Sequence, residues 1–219
     1  MNRSGGIVAL LAVSALGGSA IGANLLNNAG FETPLGFDFS NPYNWNGFFG
    51  APPGTTLQAF NDTGAAPRSG AQALVTTIRA GTHPNGYGSF TGHVQRVDGI
   101  VPGQPYQLAV WARSNPLINN GAEFRVEWQD AAGTEISRLN TEIQGLLTGN
   151  YTLFSSVDIA PAGAARAAIV LAVQSFINDG TPADTSVAWD DASFDIIPSP
   201  SALGLLGLGG LVAIRRRRV

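Results

Sequence analysis

The chain has 219 residues, 44% apolar and only 12% charged, with 28 glycines, 13 prolines and no cysteine. That length suffices for one well-buried domain with ends to spare, and the missing cysteine excludes disulfides, thiol nucleophiles and thiolate metal sites. All 12 cations are arginine, and seven of them stand among all 15 acids between Asn24 and Ile197, a balance of −8 that argues against a nucleic-acid-binding face.

The first 23 residues, MNRSGGIVALLAVSALGGSAIGA, place Arg3 before an apolar run from Ile7 to about Leu16 and then small residues. That order predicts a secretory signal peptide, cleaved after Ala23, with Gly18-Ser19-Ala20 as the other plausible end. An exported chain without disulfides draws its stability from its core or from a bound ion.

Residues 24–197 read as β throughout. Short alternating or β-branched runs at Ala71–Arg79, His93–Val97, Tyr106–Arg113, Glu123–Gln129, Tyr151–Ile159, Ala167–Phe176 and Ser186–Ile196 are separated by Gly, Pro, Asn and Asp clusters. No long 3.6-residue period competes, and no internal repeat is present. The expected fold is all-β, an antiparallel two-sheet sandwich or barrel.

Side chains alternate across a strand, so parity sorts them. In FRVEWQD, Trp128 shares a face with Phe124 and Val126 and belongs to the core, while Arg125, Glu127 and Gln129 share the other face. In YQLAVWAR, Tyr106, Leu108, Val110 and Ala112 form the apolar face. Trp111 falls with Gln107 and Arg113, where it either stacks on a sugar ring or lies under a loop. In WDDASFDI, Asp190 shares parity with Ala188, Ala192, Phe194 and Ile196, the expected inner face. A carboxylate there must be satisfied by arginine, backbone N–H groups or a hard cation such as calcium.

The chain closes on PSPSALGLLGLGGLVAIRRRRV, residues 198–219 counted from Pro198. The apolar run from Ala202 to Ile214 is shorter than the ~20 residues of a stable span, and its glycines each weaken a helix by about 1 kcal/mol. It reads as a short apolar helix and a transient membrane stop with the arginines held inside.

The Pro-rich break, Gly/Leu span and basic cluster together resemble the PEP-CTERM sorting domain. That resemblance implies recognition of Pro198, Ser199, Pro200 and Arg215, Arg216, Arg217 and Arg218 by an exosortase, a membrane transpeptidase that removes the tail. It also implies display at the cell surface or in the extracellular matrix of a Gram-negative-type bacterium. The middle residue of the Pro-Ser-Pro motif departs from the usual Pro-Glu-Pro.

Within residues 24–196, the stretches NLLNNAGFE, RSGAQAL, VPGQPYQLAVWAR and WDDASF resemble the carbohydrate-binding modules of the galactose-binding-like jelly roll, especially the family 4/9 type. This implies a two-sheet jelly roll whose first and last strands meet near one structural calcium. The ligands so implied are Glu32 and Asp190, with carbonyl oxygens around Ser69 and Gly70. The resemblance assigns no sugar-binding positions. From the residues themselves, Trp45, Phe48 and Phe49 in NPYNWNGFFG, and His83, Tyr87 and Phe90 in GTHPNGYGSF, either stack on a glycan or plug the ends of the sandwich, and Trp111 joins them as a candidate.

Catalytic signatures are weak. The two histidines, His83 and His93, have no HExxH spacing, no GxSxG elbow occurs, and the Gly81–Gly88 stretch lacks a P-loop lysine. The expectation is a non-catalytic exported module that associates with extracellular polysaccharide or the cell envelope. The alternative is a structural matrix or adhesion protein without a defined glycan ligand.

Overall fold

A computed structural model of the chain describes residues 23–33, 44–50, 59–62, 66–78, 89–114, 121–175 and 185–197. Residues 1–22, the sorting-tail residues from Pro198 to Val219, His83 and Tyr87 lie outside the described residues. Among those described, no helix is long and apolar enough to cross a membrane.

The described residues form ten strands: β1 (Asn46–Gly50), β2 (Ala59–Asp62), β3 (Leu74–Ile78), β4 (Ser89–Asp98), β5 (Pro105–Arg113), β6 (Gly121–Gln129), β7 (Glu135–Glu142), β8 (Thr152–Ile159), β9 (Arg166–Ser175) and β10 (Thr185–Ile196). They pair into two five-stranded antiparallel sheets, ordered β1-β4-β9-β6-β7 and β2-β3-β10-β5-β8. The fold is the all-β, two-sheet jelly-roll sandwich the sequence leads one to expect.

Alternation builds the core between the sheets. From the first sheet come Phe124, Val126 and Trp128 of β6 and Ile169, Leu171 and Val173 of β9; from the second come Tyr106, Leu108, Val110 and Ala112 of β5. Tyr106, Trp128 and Phe194 pack as one aromatic cluster, with ring centroids 5.5, 5.2 and 6.2 Å apart. The Trp128 indole N–H donates to Asp158 Oδ2 on β8 at 2.8 Å, so a polar bond also links the sheets.

Four strands depart from the expectation, among them β2, which no candidate run covered. β1 occupies part of what reads as a Gly/Asn-rich loop. β7, EISRLNTE, carries no clean apolar alternation because it is an exposed edge strand, and charged residues suit such an edge. β4 begins four residues earlier than His93, through Gly92, which breaks the apolar pattern.

The larger departure is in β10. Asp190 pairs with Trp111 but Ser193 pairs with Ala109, so Asp191 and Ala192 together oppose Val110. Asp191 has φ +44° at this β-bulge. One extra residue reverses the facing of the strand. Val187 and Trp189 point into the core before the bulge, and Ala192 and Phe194 after it. Asp190 is buried, as expected, but it shares the outer face with Trp111 rather than facing the interior. Trp189, placed by strict parity with the solvent-side residues, is instead fully buried.

Candidate functional site

The loop Arg68–Ala71 folds over the outer face of the second sheet at the bulge, and the two carboxylates of WDDASF hold it there. Asp190 Oδ2 accepts the N–H groups of Arg68 (2.7 Å) and Ser69 (3.1 Å), and Oδ1 accepts the N–H of Asp191 (2.8 Å). Burial raises the Asp190 carboxyl above its ordinary value, and these N–H groups oppose the shift. Asp191 pairs with the Arg68 guanidinium and accepts from the Ser69 hydroxyl at 2.9 Å.

Glu32 reaches the same loop from the N-terminal segment. Its Oε2 accepts the Ala71 N–H at 2.9 Å, and its main-chain carbonyl accepts from Gln72. Gly70 has φ +62°, and a Cβ there would overlap the Glu32 carboxylate, so glycine is required both by conformation and by contact. Glu32, Ser69, Gly70 and Asp190, from three stretches far apart in sequence, therefore meet at one place. Their hard oxygen atoms suit calcium chemically. Among the described residues, no three His, Asp or Glu side chains converge as a metal-holding group, so the N–H contacts hold the loop and an ion would have to draw on main-chain carbonyls.

The aromatic candidates separate sharply. Trp45 is fully buried against Phe31 (centroids 5.3 Å apart), and its indole N–H donates to the Asn28 carbonyl; it fixes the N-terminal segment and offers no ring to a ligand. Trp111 lies under a loop, with the Arg68 guanidinium 3.8 Å from its ring centroid. Phe90 is 37% exposed and Phe49 53%.

Phe48 and Phe90 lie on the outer face of the first sheet, 6.1 Å apart. Their cross-strand partners are glycines: Phe48 pairs with Gly92 and Phe90 with Gly50. Each ring covers its partner, since a Cβ on Gly92 would lie 2.8 Å from the Phe48 ring and one on Gly50 2.4 Å from the Phe90 ring. Aromatic rings laid over strand glycines present flat apolar faces at the surface.

Beside this platform runs an open groove of about 230 Å³, lined by Phe48 of β1, Val94 and Arg96 of β4, Ala168 and Val170 of β9, and Arg125 and Glu127 of β6. The ladder explains the lining. Val94 pairs with Val170 and Val170 with Arg125; Arg96 pairs with Ala168 and Ala168 with Glu127. Small residues on the central strand make the floor, and long polar ones on the flanking strands make the walls. Arg125 bridges Glu123 at 2.5 Å and Glu127 at 2.7 Å. Arg138 of β7 pairs with Glu135 at 2.5 Å.

Of the groove residues, Phe48 was among the sequence candidates, while Arg96, Arg125 and Glu127 were not. The signal was present in the parity of FRVEWQD, which sets Arg125 and Glu127 on the face opposite the core. Nothing in the sequence tells which sheet that face belongs to, or that β1 lies across it.

No family model matches the chain, and no curated protein sequence matches it. Solved structures do match. The enzymatically active domain of tailspike protein 4 of bacteriophage CBA120 has a TM-score of 0.56 at 17% identity, with 80% of this chain and 21% of that chain covered. An arabinose-bound GH51 α-L-arabinofuranosidase gives a TM-score of 0.54 at 15% identity, with 82% and 27% covered. The CBM22-1 xylan-binding domain from Paenibacillus barcinonensis gives a TM-score of 0.48 at 13% identity, with 81% and 97% covered. The chain thus spans about a quarter or less of the length of the first two, and the likeness to those two is one of fold: this chain has a β-sandwich of the architecture found within both.

Proposed function

We propose that the protein is a non-catalytic polysaccharide-binding module, with its site in the groove on the outer face of the first sheet. The observation that carries the reading is the side-by-side placement of the Phe48–Phe90 platform and a polar-walled groove. A pyranose ring offers an apolar face to stack and hydroxyls to hydrogen-bond, and this arrangement supplies both. Phe48→Ala is expected to weaken retention on a bound polysaccharide at least fivefold in affinity electrophoresis, with Trp111→Ala leaving retention unchanged. Equal retention of the wild type and Phe48→Ala would remove the groove as the site. The second reading, a matrix or adhesion protein without a glycan ligand, would gain from a lack of retention on every polysaccharide tried.

The wider setting belongs to the same proposal. The chain is exported through its signal peptide, held briefly by the tail, processed by an exosortase and left at the cell surface. The intact mass of the surface protein tests this, because a mass that includes Arg215 to Arg218 would mean the tail is kept.

A structural calcium between Glu32, Asp190 and the carbonyls of Ser69 and Gly70 is part of the proposal as well. The support is that both carboxylates hold the same loop. At a calcium concentration ~100 times the dissociation constant, such a site should add about 2.7 kcal/mol of stability. Thermal melting in calcium and in chelator measures the gain, and an unchanged midpoint would rule the ion out.

A further inference from the structure

Charges on the outer face of the first sheet are almost all matched. Arg125 serves Glu123 and Glu127, Arg138 serves Glu135 and reaches Glu127 at 3.9 Å, and Arg166 serves Asp98 at 2.6 Å. Glu142 is bound by the Gln144 amide at the far edge strand. It stands three strands from β4 in the order β4-β9-β6-β7, hence roughly 14 Å away at ~4.8 Å per strand. Arg96 is the exception. It is exposed, it lines the groove, and among the described residues it has neither an ion pair nor a hydrogen bond.

Arg96 is thus an exposed cation, free of an ion pair among the described residues, within a domain of formal charge −8. Its guanidinium offers a planar fork of donors whose geometry matches a carboxylate in bidentate fashion. Glu127, across Ala168 in the same row, is held by Arg125 at 2.7 Å and stands two strands from Arg96, roughly 10 Å at ~4.8 Å per strand.

On the reading that the groove binds a polysaccharide, we infer that its ligand is an acidic glycan, one whose sugar carries a carboxylate. The sugar stacks beside Phe48 and its carboxylate meets Arg96. The arginine also draws an anionic chain toward a face that the rest of the protein's charge would repel.

The test uses the full chain and polygalacturonate, with its methyl ester, neutral xylan and dextran sulfate as comparisons, in wild type, Arg96→Gln and Phe48→Ala. The variant side chain at 96 is exposed, and equal melting of Arg96→Gln and wild type confirms the fold. Polygalacturonate should bind more tightly than its methyl ester and than xylan, and more weakly as salt rises. Arg96→Gln should cost about tenfold on polygalacturonate, the loss of one charge-assisted hydrogen-bonded contact, and nothing on the ester. Equal binding of polygalacturonate and xylan, with Arg96→Gln silent and Phe48→Ala defective, would overturn the acidic ligand and leave the groove standing. Dextran sulfate bound as tightly as polygalacturonate, with Phe48→Ala silent, would reduce the effect to unspecific charge and overturn it too. No dependence on Phe48 with any polysaccharide would fell the groove reading and this inference together.

Discussion

Trp128→Ala is expected to destabilise the protein by about 3–5 kcal/mol, the range for deleting a buried tryptophan. The ring is fully buried, it is in contact with Tyr106 and Phe194, and its N–H reaches across the sandwich to Asp158. Domains of this kind hold only about 5–15 kcal/mol in all, so the loss takes a large part of the margin. Trp128→Phe keeps most of the apolar contact but leaves Asp158 Oδ2 without its donor, and is expected to cost about 1–3 kcal/mol. Urea unfolding of the three proteins separates the two contributions. A loss below 1 kcal/mol for the alanine variant would mean that the aromatic cluster is not what joins the sheets.

Acid should weaken the fold through His93. The side chain is buried on the inner face of β4, its Nδ1 has no hydrogen-bond partner, and burial lowers its pKa to about 3. The unfolded chain takes up that proton near pH 6.5 and the folded protein only near 3. Stability from this group is therefore complete above about pH 6.5 and is lost as pH falls toward 3. The full difference corresponds to roughly 4–5 kcal/mol at 1.36 kcal/mol per unit. Asp190 and Asp195 act in the opposite sense, because burial raises both: the folded state takes their protons first, so their contribution is complete below the ordinary carboxyl range and is lost as pH rises through their raised values. His93→Gln removes the histidine contribution and should flatten the stability curve between pH 6.5 and 4. A variant curve parallel to wild type over that window would show that His93 is not what drives acid sensitivity.

Much of the sandwich could be read from alternation. β5 and β6 carry clean apolar faces, and the placements of Trp128 and Tyr106 in the core follow from parity alone; β9 is apolar on both faces, and in β8 parity misleads, because Leu153, Val157 and Ile159 lie exposed while Phe154 is the buried one. The coming together of Glu32, Ser69, Gly70 and Asp190 was also legible, through the likeness of short motifs. What parity could not supply is a change of phase. The bulge at Asp191 inserts one residue, so the rule that places Asp190 beside Phe194 fails between them, and Trp189 and Asp190 exchange sides. A bulge depends on backbone conformation at a single residue and leaves no mark on apolar spacing. Trp45 misled for a different reason. Its neighbours Asn44, Asn46 and Gly47 suggest a solvated loop, whereas Phe31, 14 residues earlier, is what buries it. The groove escaped because it is a property of four neighbouring strands. Its walls come from β1, β4 and β6, and its floor from a strand, β9, whose outer side chains Ala168, Val170 and Ala172 are themselves nearly inaccessible.

The N-terminal segment is fastened to the last strand: Leu25 donates to the Phe194 carbonyl at 2.9 Å, and Asn24 both accepts from Phe194 and donates to Ala192. Phe194 stands only three residues before Ile197, so the polypeptide enters and leaves the sandwich at adjacent points. A module with neighbouring doorways can be spliced into another chain without pushing its host's halves apart, and its own ends can be joined and reopened elsewhere. The architecture is portable, like a cassette, and its surface can be adapted from one host to the next while the attachment stays the same.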